Sequence, residues 1–589
     1  MEAFPVADER TPSLDDDPAL GLSQRAKLEI LFAVMLGLFL GALDQTIVGP
    51  ALPTIVTQLS GNDYYVWAVT IYLLTSTISV PFWGKLSDIY GRKPIFMIGI
   101  VIFLIGSALS GLSQNMGMLI LFRGIQGVGA GSLFPVALSI IGDMFSPAER
   151  GRYQGLFGAV FGIAFIAGPL IGGFLTDNFG WHWIFYVNVP VGLVSLFFIF
   201  RLLPTVKNPR ATRNFDILGG VIFTIATAIL LVGLTEKGQT NPITHKAYDW
   251  FDQLQFVSGG TTTPIAILGL PVSVAAMIGT ALVGVVLFIL AELRAKEPIV
   301  PLGLFRNRTY AASMVATFFA AFAFFGAIIF LPRWFQIVHG FSSTGSGLAA
   351  LPLMAGLIFS SIASGQIVAR TGRYKWLTVG AIVILGVAMV LMTNLRADTP
   401  IEQVWLWMFI AGIGVGPTFA VFTLIVQNAV PFNMLGVATS NLTFFRQIGG
   451  TVALAIVGTL FGSQFSEQLV PQLTAAGVPN QLVQQFSQGA ANGQVDFNQL
   501  TGVGDMGQTI LASIPAAARS FVEPFIGQIV DGIHRAFSLG VASTFWVGVV
   551  AAVVAALAAA AMEELALRTS QAPAAEASRQ RLTSAPAAD

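Results

Sequence analysis

Two segments of the chain, Gly84–Lys93 (GKLSDIYGRK) and Gly365–Lys375 (GQIVARTGRYK), decide the fold. Each follows a long apolar run, and in each the first glycine precedes a Gly-Arg pair by the same spacing. Similar segments at corresponding places in a chain indicate an internal repeat. In a membrane protein such a repeat predicts two related helical bundles with a site between them.

The composition around the repeat is that of a membrane protein. Of the 589 residues, 54% are hydrophobic and 10% are charged, whereas a soluble domain has about 25% charged residues. A spanning helix needs about 20 apolar residues. Fourteen runs are long enough, and they start near residues 28, 65, 94, 117, 151, 181, 216, 265, 308, 342, 374, 401, 436 and 538. The sequence therefore predicts an all-α integral membrane protein with two six-helix bundles and an inserted helix pair.

The distribution of charge predicts the orientation of the chain. Of the thirty Lys and Arg residues, 22 fall on the side that holds both termini, six on the opposite side and two inside apolar runs. Since cytoplasmic segments carry the excess of basic residues, we expect both termini in the cytoplasm. The predicted units are a cytoplasmic disordered tail (1–27), an N-terminal six-helix bundle (28–203), an inserted helix pair with an external loop (216–292), a C-terminal six-helix bundle (308–562) that includes an external segment (463–537), and a second cytoplasmic disordered tail (563–589).

Several classes of function are excluded or unsupported by the sequence. The chain has no cysteine, which excludes disulfides and cysteine-ligated metal sites. Its net charge of zero gives no indication of a nucleic-acid partner. Hydrolase, metalloprotease and Walker A motifs are absent, and the four histidines are scattered at or beyond the ends of the apolar runs. We expect no enzyme activity, no metal site and no cofactor.

Three charged residues stand inside apolar runs: Asp44, Arg123 and Arg446. A charge at the middle of a span costs about 2.5–3.5 kcal/mol on insertion scales. Asp44 is expected about 12 Å and Arg123 about 9 Å below the outer surface, so the two could meet. They could form an ion pair that only ties two spans together, or Asp44 could carry a transported proton. Arg446, about 15 Å into its span, could orient polar backbone or attract an anionic group.

At these residues the chain resembles the fourteen-span drug:proton antiporters of the major facilitator superfamily. Gly84–Lys93 is similar to the superfamily's loop signature between spans 2 and 3. Other segments that resemble motifs of this family are Leu43–Val48 with Ala51–Pro53, Arg123–Ala130, Gly168–Gly173, Trp183–Pro190, Leu304–Arg308 and Arg446–Gly450.

The resemblance implies roles for the residues that match these motifs. Asp44 and Arg123 match the pair implicated in proton coupling. Gly84, Asp88, Gly91 and Arg92 match an inner gate that closes the cytoplasmic side. The matches to the antiporter motif of span 5 are Gly168, Pro169, Gly172 and Gly173, which could instead serve tight helix packing alone.

The composition of the apolar runs offers candidates for a substrate cavity. The chain has 47 phenylalanines, most of which should face lipid or neighbouring helices. Aromatic surfaces in a cavity would suit cargo of many shapes. The candidates are Arg446, Phe161, Phe165, Phe322 and Phe445.

The external segment 463–537 contains apolar residues at four-residue spacing, from Phe521 to Phe537. This spacing predicts an amphipathic helix from about Pro524. Such a helix could rest on the outer membrane surface, cap the extracellular mouth, dock an envelope partner or guide lipid-like cargo.

The function predicted first is proton-driven multidrug efflux of hydrophobic or cationic compounds by alternating access, in a bacterial plasma membrane. The drug specificity and the antiport direction come from the resemblance. The expected partners are small hydrophobic or amphiphilic substrates, protons and membrane lipid, with the proton gradient as the source of energy. Export of an endogenous lipid or other amphiphile is the alternative. A membrane enzyme and a non-transporting scaffold are remote alternatives.

Overall fold

The computed structural model describes residues 23–59, 65–145, 147–204, 216–235, 255–258, 261–264, 266–267, 270–295, 297–484, 506–513 and 516–567. Residues 1–22 and 568–589 of the two predicted tails lie outside this range. So do residues 236–254 of the first external loop and residues 485–505 of the second.

The N-terminal half is a bundle of six spans. In a bilayer each backbone N–H and C=O must be paired within the chain, which makes a helix the natural form of each apolar run. The sixth span is interrupted at Val187, so that it consists of two helices. The helices are α1 (Gln24–Gln58), α2 (Tyr65–Tyr90), α3 (Arg92–Gly111), α4 (Met116–Met144), α5 (Pro147–Phe179), α6 (Trp183–Tyr186) and α7 (Asn188–Leu202).

The inserted pair consists of α8 (Ile217–Thr235) and α9 (Val272–Arg294), which pack against each other. Short strands form two antiparallel hairpins before α9: β1 (Gln255–Ser258) with β2 (Thr261–Pro264), and β3 (Ala266–Ile267) with β4 (Leu270–Pro271). The prediction that this span starts near residue 265 is wrong, because the apolar residues before Val272 form β3 and β4 and the helix begins at Val272.

The C-terminal half contains the other six spans, preceded by a 3₁₀ helix at Leu302–Arg306. Its helices are α10 (Arg308–His339), α11 (Ser343–Ala349), α12 (Leu351–Thr371), α13 (Lys375–Met392), α14 (Ile401–Ala429), α15 (Leu435–Ala475), α16 (Met506–Ser513), α17 (Ala516–Val522) and α18 (Ile526–Ala561). Two further 3₁₀ turns, Phe432–Met434 and Glu523–Phe525, precede α15 and α18.

The structure explains the repeat that the sequence shows. Gly91 joins α2 to α3 with φ 96°, and Gly372 joins α12 to α13 with φ 69°. These values lie in the left-handed region, which glycine adopts without steric cost. The two Gly-Arg pairs therefore mark the same tight connection in the two halves.

Among the described residues, thirteen helices are long and apolar enough to cross a membrane. The remaining run of the fourteen is α2, a helix of 26 residues. This helix nevertheless belongs to the bundle, because the indole of Trp83 donates to the carbonyl of Val128 in α4 at 2.7 Å. The chain is thus an all-α multi-pass membrane protein with two six-helix bundles and an inserted pair.

The external segment differs from its prediction. Helix α15 continues to Ala475, and α18 begins at Ile526, so both helices extend beyond the spans predicted from hydropathy. With 41 residues, α15 is about 60 Å long, whereas the apolar layer of a bilayer is about 30 Å thick. The predicted amphipathic helix is the first part of α18 and is continuous with the last span.

The apolar stripe of this segment is a packing face. Ile529 and Ile533 are 0% and 4% exposed and belong to one hydrophobic cluster with Leu469 and Leu473 of α15. A helix lying on the membrane surface, or a slide for acyl chains, would need this stripe to be free. Both of those interpretations are wrong, because the stripe pairs α18 with α15. Docking of an envelope partner stays a prediction.

This packing predicts a large effect of substitution at Ile529. Ile529→Ala should lower the free energy of unfolding by about 2–5 kcal/mol, because it leaves a cavity between α15 and α18. The matched control is Phe521→Ala, since the Phe521 side chain is 52% exposed and lies on the same stripe. Chemical unfolding of the purified protein in detergent measures both. Equal stability of the two variants would mean that the stripe does not hold the segment together.

Candidate functional site

The carboxylate of Asp44 lies in the middle of the N-terminal half and is 0% exposed. Its Oδ2 accepts a hydrogen bond from Nη1 of Arg123 at 2.7 Å. Asp44 lies on α1 and Arg123 on α4. The two side chains meet, as their similar predicted depths in the membrane allowed. Both charges are buried, with Arg123 2% exposed. Such a pair resists separation, because breaking it would leave an uncompensated charge in an apolar bundle.

Two amide side chains complete the coordination of Asp44. Its Oδ1 accepts from Nε2 of Gln126 at 2.8 Å and from Nδ2 of Asn188 at 3.0 Å. The Gln126 carbonyl oxygen in turn accepts from Nη1 of Arg123 at 2.8 Å. Sequence reasoning missed both amides, although each stands in a segment quoted for the resemblance. The signal was the spacing of Gln126, three residues after Arg123 and hence on the same face of α4.

Aromatic rings enclose the guanidinium of Arg123. Its Cζ lies 4.1 Å from the ring centre of Tyr72 and 5.7 Å from that of Phe185. A desolvated guanidinium over an aromatic face is stabilised by about 2 kcal/mol or more. The rings therefore fix the position of Arg123 and exclude water from its pair with Asp44.

Asp44 is a hydrogen-bond acceptor throughout this cluster. Three side chains donate to the carboxylate, and every one of those hydrogen bonds suits an acceptor-only group. The three donors come from α4 and α7, so the cluster ties α1 to both of these helices.

The predicted gate residues lie where α2 meets the C-terminal half. Asp88 accepts from the backbone N–H groups of Gly436 at 3.0 Å and Val437 at 2.8 Å, in the first turn of α15. Those amides have no partner within their own helix, and the positive end of the helix dipole favours an anion there. Arg92 donates to Asp88 at 2.5 Å and to Asp143 at 2.8 Å. We call Asp88, Arg92 and the first turn of α15 the cytoplasmic latch.

The close approach of α2 and α15 depends on small residues. A Cβ atom on Gly84 would clash with Ser440 and with the carbonyl oxygen of Gly436. Lys85 next to it forms an ion pair with Glu297 at 2.8 Å, which ties the latch to the chain between α9 and α10. Gly84 is therefore needed for contact between the halves at this end of α2.

A second contact between the halves was not predicted. Nε2 of Gln154 on α5 donates to Oε1 of Gln427 on α14 at 2.8 Å. Nε2 of Gln427 donates to the carbonyl of Leu138 on α4 at 3.0 Å and to the hydroxyl of Thr439 on α15 at 3.2 Å. The two amides lie in different halves and far apart in sequence, so no local pattern could have paired them.

The residues of the predicted antiporter motif lie at the outer end of α5. A Cβ atom on Gly168 would clash with Thr46, and one on Gly172 would clash with the carbonyl of Ile47. On the same helix, Pro169 lies against Gly347 of α11, and Gly173 faces Thr344. The motif therefore packs α5 against α1 close to Asp44 and also against the other half.

The predicted cavity residues are divided between two places. Phe161 of α5 lies 5.4 Å from Phe419 of α14 and 5.8 Å from Phe165, measured between ring centres. The guanidinium of Arg446 lies 4.5 Å from the centre of the Phe419 ring. These residues meet between the halves.

Phe322 and Phe445 lie elsewhere within the C-terminal half. The ring of Phe322 packs with Phe318 and Phe319, and that of Phe445 with Phe305 near the cytoplasmic end. The alternation of apolar residues along α10 and α15 could not tell these packing positions from cavity positions.

Comparison with known proteins identifies the family. The family model described as Major Facilitator Superfamily matches residues 34–454 of the chain. The chain belongs to the major facilitator superfamily. The family predicted from the motifs is thereby confirmed.

Relatives within the superfamily include multidrug transporters. The chain is 36% identical over 525 residues to the multidrug transporter protein MdtP of Bacillus subtilis (strain 168), covering 88% of this chain and 91% of MdtP. It is 35% identical over 442 residues to multidrug resistance protein 3 of the same organism, covering 75% of this chain and 80% of that protein.

A solved structure has the same fold. The structure of the proton:xylose symporter XylE aligns with a TM-score of 0.55 at 11% identity, covering 91% of this chain and 95% of XylE. This likeness concerns the fold alone. The protein is a major facilitator superfamily transporter, and the roles predicted for its site residues stay predictions.

The latch generates a prediction about Asp88. Asp88→Asn should favour states open to the cytoplasm, because the neutral amide interacts more weakly with the start of α15. A loss of 1–2 kcal/mol would raise the open population about 5- to 30-fold. The chain has no cysteine, so Thr439→Cys introduces a single labelling site at a residue that is 0% exposed. The rate of maleimide labelling measures the population.

Asp143→Asn is the matched control for this experiment. It removes the other ion pair of Arg92 without altering a bond to α15. Labelling that rises equally in both variants, or in neither, would contradict a latch formed by Asp88 and α15.

Proposed function

We propose that the protein exports hydrophobic small molecules by alternating access, driven by proton entry, as a multidrug efflux antiporter. It would act in a bacterial plasma membrane with both termini in the cytoplasm. The substrates would be hydrophobic or amphiphilic molecules in contact with membrane lipid, and the proton gradient would supply the energy. The names of the two Bacillus subtilis relatives support the drug specificity.

The observation that carries the proposal is the ionisable group at the centre of the N-terminal half. Asp44 is buried in a span, and three donors from α4 and α7 hold its carboxylate. A bundle that needed only mechanical stability would be at least as stable with apolar residues of the same volume at these positions. A buried carboxylate that binds and releases a proton would serve coupling.

The contacts of α1 supply a route from the proton to the conformational change. Thr46 and Ile47 follow Asp44 within one turn of α1 and pack against Gly168 and Gly172 of α5. The hydroxyl of Thr46 also donates to the carbonyl of Ala164 at 3.0 Å. Protonation would weaken the hydrogen bonds to Asp44, change how α1 packs against α5 and thereby bias the two halves toward the other state.

Transport by the Asp44→Asn variant tests this proposal. The variant cannot take up or release a proton at position 44, so efflux driven by a pH gradient should fall to the background rate. Exchange of labelled for unlabelled substrate without a gradient should continue, because it needs no net proton movement. Both rates are measured in proteoliposomes with a fluorescent hydrophobic substrate.

A second variant separates coupling from folding. Asn188→Ala removes one donor and leaves the carboxylate and its pair with Arg123 in place, so gradient-driven efflux should persist with an altered dependence on pH. Undiminished gradient-driven efflux in Asp44→Asn would refute the coupling role of this residue. Loss of exchange as well as efflux would show that Asp44 has a structural role instead.

A further inference from the structure

Arg446 is a cation in the middle of a span and lies between the two halves. It is the twelfth residue of α15, about 16 Å from the start of that helix. Its Nη2 donates to the carbonyl of Thr418 on α14 at 3.0 Å. The side chain is partly exposed although its neighbours come from the interior of the bundle. It therefore borders the space between the halves.

Arg446 lacks an acidic partner among the described residues. Within the part of the chain that the structure describes, no Asp or Glu side chain pairs with it. The other cation inside a span, Arg123, has Asp44 at 2.7 Å. The contrast matters because burying an unpaired charge in a membrane is costly. A charge kept in this way is suited to a counter-ion that arrives from outside the protein.

The surroundings of Arg446 suit an aromatic or apolar body. Its guanidinium lies over the Phe419 ring. The ring of Phe419 in turn contacts Phe161 of the other half and Phe324 of α10, at ring-centre distances of 5.4 and 6.3 Å. Phe161 and Phe419 are both partly exposed. These aromatic rings thus connect the two halves next to the guanidinium of Arg446.

We propose that Arg446 and the rings of Phe161, Phe324 and Phe419 form a binding site for amphiphiles that carry an anionic group on an apolar body. The guanidinium would hold a carboxylate, sulfonate or phosphate through charge-assisted hydrogen bonds, which planar N–H donors form in pairs. The rings would hold the apolar part. This inference rests on the proposed export function and names the class of cargo.

The same geometry disfavours cationic cargo. A cation that contacts the rings would lie close to the guanidinium of Arg446, and like charges repel strongly where water is excluded. The resemblance implied hydrophobic or cationic substrates. This site instead favours hydrophobic substrates that are neutral or anionic. The export of an amphiphile, the alternative drawn from the sequence, agrees with this site.

A matched pair of fluorescent probes tests the class of cargo. Both carry a dansyl group on the same two-carbon linker, one ending in a sulfonate and the other in a trimethylammonium group. Binding to the purified full-length protein is measured by fluorescence in detergent. The unaltered protein should bind the sulfonate more tightly. Arg446→Gln should weaken sulfonate binding about 10- to 100-fold, which corresponds to the loss of a hydrogen bond between charged groups, and should not weaken binding of the cation.

Two further variants control for charge and folding. Arg446→Lys keeps the positive charge and should retain part of the preference for the sulfonate. Arg396→Gln removes an exposed arginine at the outer end of α13 and should leave both affinities unchanged. The proposal would be overturned if the ratio of sulfonate affinity to cation affinity were the same in the unaltered protein and in Arg446→Gln. It would also be overturned if the unaltered protein bound the cation more tightly than the sulfonate.

The experiment separates this inference from the proposed function. Binding in detergent requires no proton gradient, so a sulfonate preference that depends on Arg446 would support the site even if Asp44→Asn left efflux intact. Conversely, proton-driven efflux of a neutral dye together with no sulfonate preference would overturn the anion site and leave the export function standing.

Discussion

The fold of the N-terminal half depends on how one buried carboxylate is compensated. Asp44 is held by Arg123, Gln126 and Asn188, and these residues come from α4 and α7. An ionised group without donors would be too costly inside an apolar bundle, so the three helices must meet at this point. The aromatic ring of Tyr72 adds α2 to the same cluster through its contact with Arg123. One charged residue thus fixes the positions of four spans.

The two seams between the halves are built differently, although the repeat relates them. Gly84 of α2 packs on Gly436, and Gly365 of α12 packs on Gly151. Helix α15 begins at Leu435, so the amide of Gly436 is free to bind Asp88, whereas α5 begins a full turn before Gly151. An acid at the corresponding place would find amides that already bond within α5. That place holds Ala369, and α12 contacts α5 there through Gly365 and Gly151.

Features that depend on local sequence could be predicted, whereas contacts between distant helices could not. The spans, the repeat and the pairing of Asp44 with Arg123 followed from hydropathy, spacing and depth, because these depend on local sequence. The bounds of α15 and α18 were wrong because hydropathy falls where the helices leave the bilayer, while Ile529 and Ile533 continue the helix by packing on α15. Local sequence carries little information about contacts between distant helices.

The missed residues make the same point for the site. Gln126 and Asn188 are neutral amides, so their insertion cost is too small to make them stand out in a hydropathy profile. Their importance comes from the hydrogen bonds that they donate to a carboxylate on another helix. Arg446 was recognisable by its charge. Whether it paired with an acid could be decided only once its neighbours on α14 were known to be Thr418 and Phe419.

Arg123 and Arg446 differ in their position relative to the two halves. Arg123 and its counter-ion belong to the same half, so relative movement of the halves does not separate them. Arg446 belongs to the other half and faces the space between the two, so its environment changes whenever that space opens or fills. Helix α5 contacts the surroundings of both charges. Its Gly168 packs on α1 beside Asp44, and its Phe161 contacts the ring of Phe419, over which Arg446 lies. If Arg446 binds an anion and Asp44 a proton, as proposed, both events act on α5, and neither charge has to move toward the other for the two to be coupled.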